Sequence, residues 1–395
     1  MRILTINCGS STLKFELFEV ADEQRSIARG VVDRIGGRGS AELISESGER
    51  TIRSIAAADH GEATLQVIRL LGSSGLLGGL QAVGHRVVHG GARFSEPALL
   101  DTGAEDAIEE LAELAPLHNG PALAAIRAIT EALGPEMSQA ATFDTAFHSR
   151  MPRVARFFAL PRQLADEGVL RYGFHGLSYE YVMGRLRAID PEAASGRILI
   201  AHLGNGASML GVRGGVGVDT TMGFTPTGGL VMGTRSGDLD PGVLLYMLDE
   251  RRLSPPEIGE LINRRAGLLG VSETSADMRD LLSREANDPR ADEAISLFCY
   301  QAKKFLGALA AALGGLGTLV FTGGIGEHAA PVRWRICEGL EFLGLRLDGS
   351  RNAESAAIVS LDDAPVTVRV IPTDENLMIA RHTRRLVRSM TKEGA

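Results

Sequence analysis

Two segments, about half a chain length apart, share one pattern. The first reads RILTINCGSSTLKFELFE from Arg2, and the second reads RILIAHLGNGASMLGVRGG from Arg197. Each has an apolar strand, a turn rich in small and polar residues, and a second strand in which apolar and polar residues alternate, which predicts a β-hairpin. A pattern that recurs once over this distance indicates a duplicated domain. The length of 395 residues agrees with two domains.

The composition favours an α/β protein with many tight turns, since the chain has 48 glycines and only 5% aromatic residues. A net charge of -8 argues against nucleic acid or an anionic membrane as the main partner. The three cysteines, without a CxxC pair, do not fit a disulfide framework or a zinc ribbon. The short apolar start before Asn7 does not resemble a signal peptide, so we expect a cytoplasmic protein.

One uncharged stretch between Lys304 and Glu327 is long enough to span a membrane. Its composition fits three pieces better: the end of a helix, a GGLG loop, and the buried strand TLVFTGG. We therefore expect a buried helix and strand at this position. Farther along, VTVRVIPTDENLMIARHTRRLVRSM predicts a strand, a turn and a basic helix that packs back onto the first domain.

Three glycine-rich turns are candidates for binding phosphate or nucleoside: NCGSSTLK, HLGNGAS and FTGGIGEH. Backbone N–H groups of such turns can converge on one anion, and Lys14 adds charge at the exit of the first. Each turn taken alone is better explained as a plain glycine turn. Neither a Walker P-loop nor GxGxxG follows a strand, so a nucleotide site here would be of another type. We expect FTGGIGEH to be a turn before a helix.

Several charged or polar residues lie in glycine-rich surroundings. Arg86 and Arg235 fit phosphate or carboxylate binding, because an Arg fork binds such groups through two parallel bonds. His175 in YGFHG is expected to be exposed in a cleft. Asp144 ends a predicted strand, where catalytic carboxylates occur, although it could only cap the next turn. The helical stretch from Ala104 is predicted to break at PLHNGP.

These stretches together resemble one family. The chain contains, in order, NCGSSTLKFELFE, GHRVVHGG, PLHN, FDTAFH, RYGFHG, AHLGNGAS, VDTTMGFTPTGGLVMGTRSGDLDPG, ADMRD and FTGGIGE. The set is similar to the acetate kinase family, within the superfamily of acetate and sugar kinases, heat-shock chaperones and actin. The resemblance implies two duplicated ribonuclease H-like domains of α/β class with a nucleotide cleft between them. It places them at 1–148, with a returning helix at about 376–395, and at 149–375, in a homodimer.

The resemblance also implies a reversible reaction in which ATP and acetate give ADP and acetyl phosphate, with Mg²⁺, or Mn²⁺ in its place. The implied catalytic residues are Arg86, His118, Asp144, His175 and Arg235. The implied acetate-binding residues are Arg86, Val88, Leu117, Phe174 and Pro226. The implied ATP-binding residues are Lys14, His202, Leu203, Gly204, Asn205, Gly206, Asp277, Met278, Arg279, Gly324, Ile325, Gly326, Glu327 and His328. The implied magnesium residues are Asn7 and Glu375.

Asp144 matches the catalytic aspartate of the family, which is described as a proton donor or acceptor. Acetate is already ionised at neutral pH, because carboxyl pKa values lie near 4. It needs no general base, so orientation of metal or water is the better role for Asp144. The chain departs from the family at Gly120, His328 and Asn376. Alternatives are a propionate or butyrate kinase on the same scaffold, or an ATP-driven chaperone or filament protein, for which the chain has no additional module.

Overall fold

A computed structural model describes residues 1–9, 11–21, 24–112 and 116–393, without the side chains of residues 116–118 and 391–393. It divides into two compact units. The first comprises Met1–Ser149 and Asp374–Ala395, and the second comprises Arg150–Thr373.

The strands are, in chain order, β1 (Arg2–Cys8), β2 (Leu13–Val20), β3 (Gln24–Asp33), β4 (Gly37–Ser45), β5 (Arg50–Ala57), β6 (Leu80–Val87), β7 (Ala98–Leu99), β8 (Ser138–Phe143), β9 (Arg197–Leu203), β10 (Ala207–Arg213), β11 (Val216–Thr220), β12 (Thr318–Thr322) and β13 (Thr367–Val370). The α-helices are α1 (His60–Ser73), α2 (Thr102–Ala112), α3 (Pro116–Leu133), α4 (Arg153–Arg156), α5 (Arg162–Asp166), α6 (Gly176–Ile189), α7 (Pro191–Ser195), α8 (Pro241–Asp249), α9 (Pro255–Arg264), α10 (Gly267–Ser272), α11 (Met278–Arg284), α12 (Pro289–Leu313), α13 (Gly323–His328), α14 (Ala330–Cys337), α15 (Gly349–Ala353) and α16 (Glu375–Glu393). Short 3₁₀ turns lie at Ala146–His148 and Glu341–Leu343.

The two sheets repeat one topology. The first has the strand order β5-β4-β3-β2-β1-β6-β8-β7, and the second has the order β11-β10-β9-β12-β13. In each, a strand pairs antiparallel with the hairpin strand that follows it and parallel with a strand reached by a helical crossover. The series β3-β2-β1-β6-β8 therefore matches β11-β10-β9-β12-β13. This confirms the predicted duplication and the α/β class.

Helices cover both faces of the first sheet. Leu4, Ile6 and Phe15 point to one face, where Val67 and Leu71 of α1 join the same apolar core. The alternate residues Ile3, Phe18 and Ala82 point to the other face and pack against Ala380 of α16. The approach of α16 is close, because a Cβ on Gly84 of β6 would lie 2.3 Å from Thr383 Oγ1. This packing places the start of α16, with Glu375, in the first unit.

Two local predictions need correction. The helical stretch is divided, as expected, into α2, which ends at Ala112, and α3, which begins at Pro116, but PLHNGP itself is helical, because α3 continues through Pro121. Proline at the first helical position starts a helix, because its missing N–H has no intrahelical partner there. The expected turn at FTGGIGEH is the short helix α13. Gly323 turns the chain with φ +76°, and Glu327 Oε1 accepts a hydrogen bond from the Gly323 N–H at 2.9 Å.

The uncharged stretch forms the end of α12, a loop and β12, as expected. Within the described ranges, no helix combines the length and the apolar character needed to cross a membrane. The three cysteines are buried and carry free thiols.

Candidate functional site

Four neighbouring strands of the first unit bring one candidate residue each to the same edge of the sheet. Lys14 lies on β2, Asn7 on β1 and Arg86 on β6, and Asp144 directly follows β8. Asn7 is paired directly with Lys14 in the antiparallel register, so their side chains share one face. The sequence predicted these four residues one by one, and the fold brings them together because their strands are adjacent.

Arg86 is the centre of this cluster. Its Nε donates to Asp144 Oδ1 at 2.9 Å, and its Nη2 donates to Asp144 Oδ2 at 2.5 Å. Its Nη1 donates to Asn7 Oδ1 at 3.0 Å. Asp144 is 1% exposed. Burial alone lowers the pKa of Arg86, but the charges of Asp144 and Glu375 outweigh this effect and raise it, so the guanidinium remains charged. These bonds use three of the five guanidinium N–H donors.

Asn7 and Glu375 form a second contact in the cluster. Asn7 Nδ2 donates to Glu375 Oε2 at 3.2 Å, and Glu375 Oε2 lies 4.0 Å from Arg86 Nη1. Mg²⁺ prefers oxygen ligands and is commonly held by one or two protein groups together with water and substrate phosphates. Among the described residues, no three His, Cys, Asp or Glu side chains form a metal-binding group. One amide oxygen and one carboxylate fit a magnesium ion that is shared with a nucleotide.

The segment after β6 carries Val88, which is 6% exposed. Asn119, fully buried in α3, ties this segment down, because its side chain accepts from the His89 N–H at 3.0 Å and donates to the His89 carbonyl at 2.9 Å. Asn119 belongs to the PLHN motif but was not among the residues predicted for the site. The side chains of Leu117 and His118 lie outside the described residues.

His175 of the second unit directly precedes α6 and has the left-handed conformation, with φ +60°. The prediction that it is exposed is wrong, since only 8% of it is accessible. Its Nδ1 lies 2.8 Å from Ser208 Oγ, and the same Oγ lies 2.5 Å from the Tyr179 hydroxyl. Ser208 on β10 and Tyr179 on α6 are both fully buried, and burial raises the pKa of Tyr179, so the hydroxyl stays protonated. Together they fix the orientation of the imidazole.

His202 at the end of β9 stacks on His175, with ring centroids 4.2 Å apart. Ser178 Oγ holds His202 Nδ1 at 2.8 Å. Beside this pair, a Cβ on Gly206 would lie 2.8 Å from Arg235 Nη2 and 3.1 Å from His175 Nε2. Arg235 and His175 therefore converge beside the backbone of Gly206, where only glycine leaves both side chains their space.

The long loop from Thr221 to Asp240 is held by local bonds. Arg235 Nη1 donates to the Pro226 carbonyl at 2.6 Å, and the Gly233 N–H donates to the Asn205 carbonyl at 3.0 Å. Phe174, before His175, is 1% exposed. Arg235, which contacts the Pro226 carbonyl, and His175 thus lie beside the β9–β10 turn, which contains Gly204, Asn205 and Gly206 and follows Leu203, the last residue of β9.

The remaining predicted ATP residues lie at the start of α11 and along α13. Asp277 caps α11 by accepting from the Arg279 N–H at 2.8 Å, Met278 is 2% exposed, and the Arg279 side chain is 86% exposed. In α13, which contains Gly324, Ile325 and Gly326, the Glu327 carboxylate also accepts from the Thr373 N–H at 3.2 Å. The carboxylate of Glu327 thus caps α13, whereas the His328 side chain is 74% exposed.

Arg333 holds α13 through hydrogen bonds to its backbone, and it was not among the residues predicted for the site. Its side chain is fully buried, and each of its five N–H donors has an acceptor in this structure. Two acceptors are the carbonyls of Gly326 and Glu327, both at 2.9 Å. The others belong to Asn352 and Ser355. Burial lowers the pKa of Arg333.

A sequence profile described as the acetokinase family matches residues 2–381. The chain is 46% identical over 392 residues to the acetate kinase of Rhodopseudomonas palustris strain TIE-1, covering 97% of this chain and 98% of that protein. It is 44% identical over 409 residues to the acetate kinase of Coprothermobacter proteolyticus, covering 99% and 100%.

Solved structures show the same likeness. The crystal structure of Porphyromonas gingivalis acetate kinase has a TM-score of 0.88 at 38% identity, over 98% of this chain and 99% of that one. A propionate kinase from Francisella tularensis has a TM-score of 0.92 at 35% identity, with the same coverage. The resemblance noticed in the sequence motifs is confirmed, and the chain belongs to the acetokinase family.

Proposed function

We propose that this chain is an acetate kinase, which transfers the terminal phosphoryl group of ATP directly and reversibly to acetate. The observation that carries the proposal is the gathering of Lys14, Asn7, Arg86 and Asp144, with Glu375, at one edge of the first sheet. These are the residue types that meet a carboxylate, a phosphate and a magnesium ion.

The chemistry requires charge compensation more than proton transfer. An ionised carboxylate is already a nucleophile, but it must approach a polyanion. Catalysis of phosphoryl transfer is mostly positioning and electrostatic stabilisation, and cationic side chains supply both. In this proposal, Lys14, Arg86 and Arg235 supply the positive charge.

In this proposal, Arg86 binds the acetate carboxylate through the N–H donors that are not used in its hydrogen bonds to Asp144 and Asn7. Asp144 is a positioning residue, because its two oxygens hold one edge of the guanidinium and fix the plane of the rest. A role in orienting water or metal is compatible with this geometry. A proton transfer through Asp144 is not required.

His175 and Arg235 stabilise the charge on the phosphoryl group during its transfer. The convergence of the two side chains beside Gly206 supports this role. His118 and Asn205 are the proposed active-site residues that flank the phosphoryl group. His202 and Asn205 bind the nucleotide phosphates together with the β9–β10 turn, and the segments 277–279 and 324–328 bind the nucleoside. The nucleotide cleft predicted between the domains stays a prediction.

Asn7 and Glu375 would hold Mg²⁺, which neutralises charge on the ATP phosphates when bound. Mn²⁺ is a possible substitute. The contact of Asn7 with Arg86 orients the amide, so the same Asn7 side chain links the metal position to the acetate-binding Arg.

Propionate is the second candidate substrate, because the chain is similar over almost its whole length to a propionate kinase. Val88, Leu117, Phe174 and Pro226 are the proposed contacts of the acyl chain. One additional methylene changes discrimination by only about 1–3 kcal/mol, so we expect propionate to react more slowly than acetate and not to be excluded.

We propose a homodimer, supported by the exposed apolar surface of α8. None of the nine residues of this helix is buried, and Val243, Leu245, Tyr246 and Leu248 are all exposed. Clustered apolar side chains on one exposed helix are typical of interfaces. Replacing Leu245 and Tyr246 by Glu should shift the molar mass measured by light scattering from dimer to monomer. The cytoplasmic location expected from the sequence stays a prediction.

The test of the function is a substrate panel. Purified protein is incubated with ATP, Mg²⁺ and formate, acetate, propionate or butyrate, and the acyl phosphate is trapped with hydroxylamine. We expect the highest kcat/KM with acetate and a lower value with propionate. A higher value with propionate would replace acetate kinase by propionate kinase, and no hydroxamate with any acid would exclude both.

A further inference from the structure

The described residues of the turn between β1 and β2 are Gly9, Ser11 and Thr12, and the carbonyl group of each of these three lies within hydrogen-bond distance of a donor in the first unit. The Ser11 carbonyl accepts from the Ile35 N–H at 3.0 Å, and the Thr12 carbonyl accepts from the Gly9 N–H at 2.8 Å. The Gly9 carbonyl lies 2.8 Å from His60 Nε2. With its carbonyls held in this way, the turn can present N–H groups to an anion.

His60 differs from the other two donors because it is a side chain from a distant element. It is the first residue of α1 and is 7% exposed. Burial lowers the pKa of His60, although its bonds to the backbone of Gly9 and Thr12 act in the opposite direction. The net shift favours the neutral ring. A carbonyl can only accept a hydrogen bond, so Nε2 carries the proton.

Gly9 makes the turn tight as well. A Cβ at this position would lie 2.8 Å from Thr12 Oγ1. The backbone at Gly9 thus passes close to the Thr12 side chain. An unsatisfied carbonyl would rotate toward solvent or toward a bound phosphate, which it would repel.

We propose that His60 is a positioning residue for phosphate binding: its Nε2–H holds the Gly9 carbonyl away from the anion and so keeps the β1–β2 turn in its binding shape. This inference rests on the proposed function of the turn in ATP binding. His60 touches neither substrate in this proposal, and it acts only through the backbone of the turn.

The start of α1 does not depend on the His60 side chain. Asp59 caps the helix by accepting from the Glu62 N–H at 2.9 Å, and Glu62 accepts in return from the Ala58 N–H at 2.8 Å. Replacement of His60 therefore leaves the helix cap in place, so the effect on the turn can be measured in a folded protein.

The experiment compares full-length variants by steady-state kinetics with ATP and acetate varied separately. His60→Phe keeps the ring shape without a donor, and we expect the KM for ATP to rise about tenfold, as loss of one hydrogen bond predicts. The KM for acetate should stay within about twofold, because its contacts are elsewhere. His60→Gln, whose terminal amide can reach the position of Nε2, should recover most of the loss. His60→Asn, whose shorter amide cannot reach it, should resemble His60→Phe.

Two further variants separate the possible failures. Thr64 lies four residues after His60 in α1. Thr64→Val removes the hydrogen bond that the buried Thr64 hydroxyl donates to the His60 carbonyl and leaves the β1–β2 turn unchanged. If Thr64→Val raises the KM for ATP as much as His60→Phe does, the role of His60 is merely structural and the inference is overturned.

Lys14→Ala separates the inference from the proposed function of the turn. If Lys14→Ala impairs ATP use but His60→Phe does not, the inference alone fails. An unimpaired Lys14→Ala would instead overturn the proposed function of the turn. If His60→Phe does not fold, equal KM values for ATP in His60→Gln and His60→Asn overturn the inference.

Discussion

Asn7 donates a hydrogen bond to Glu375 at 3.2 Å, although 368 positions separate the two residues. Asn7 lies near the end of β1, and Glu375 opens α16, which packs on the sheet of the first unit. The docking of the last helix therefore completes a cluster that the first strand begins. The proposed magnesium residues depend on this docking.

Replacing Glu375 by Ala should raise the Mg²⁺ concentration for half-maximal rate by about tenfold or more, since loss of a group at a metal site has effects of this size. Asp374→Asn is the matched control. Asp374 accepts from the Leu377 N–H at 2.9 Å, and Asn retains such a cap. A magnesium titration that is unchanged in Glu375→Ala would show that Glu375 serves only the helix start.

Replacing Arg86 by Ala should lower kcat by on the order of 10³, as for other arginines in phosphoryl transfer. Lys should not restore the rate, because one ammonium group cannot span both oxygens of Asp144 and also reach Asn7. Rates with saturating ATP and acetate test this. Recovery in Arg86→Lys would mean that charge alone suffices and that the paired geometry is incidental.

Arg235→Ala should likewise lower kcat by on the order of 10³ while the protein remains folded. The reason is its position beside Gly206 and His175. Arg213→Ala, at an exposed position on β10, is the control and should keep the wild-type rate. Turnover near that of the wild type in Arg235→Ala would remove Arg235 from the catalytic residues.

Val88→Ala should shift the ratio of kcat/KM toward propionate. The buried Val88 side chain loses two methyl groups, and one additional buried methylene gains about 0.8 kcal/mol, which corresponds to about a fourfold change. The values for acetate and propionate are measured in both proteins. A ratio that does not move would show that Val88 is not in contact with the acyl chain.

Arg333→Ala should destabilise the protein by about 3–5 kcal/mol, because five acceptors, three of them in buried hydrogen bonds, lose their donor. Thermal unfolding of the full chain measures the effect. Arg290→Ala, which removes an exposed ion pair with Glu273, should change the midpoint little. Equal midpoints for the two variants would contradict the anchoring role of Arg333.

The parts of the fold that the sequence predicted depend on local patterns. Alternation in LKFELFE and the glycines of HLGNGAS define hairpins from neighbouring residues alone. The helix at GGIGEH was not predicted because side-chain contacts stabilise it. Glu327 Oε1 accepts from the Gly323 N–H at its start, and Arg333 donates to the Gly326 and Glu327 carbonyls near its end. Glycine content alone argued against a helix there.

The site was predicted residue by residue, but its pairings were not. The burial of His175 follows from Ser208 and Tyr179, which come from another strand and from the next helix. Likewise, the fork of Arg86 is held by Asp144, which is far away in sequence. Nothing in the local pattern around Arg86 or His175 specifies such partners, because they are set by strand order and helix packing.

The most direct test of the central claim is the initial rate of ATP formation from ADP and acetyl phosphate, followed by a coupled luminescence assay with the purified chain. The account predicts a saturable rate that requires Mg²⁺ and is lost in Arg235→Ala purified in parallel. Absence of ATP formation by the folded wild-type protein, or an equal rate in Arg235→Ala, would contradict it.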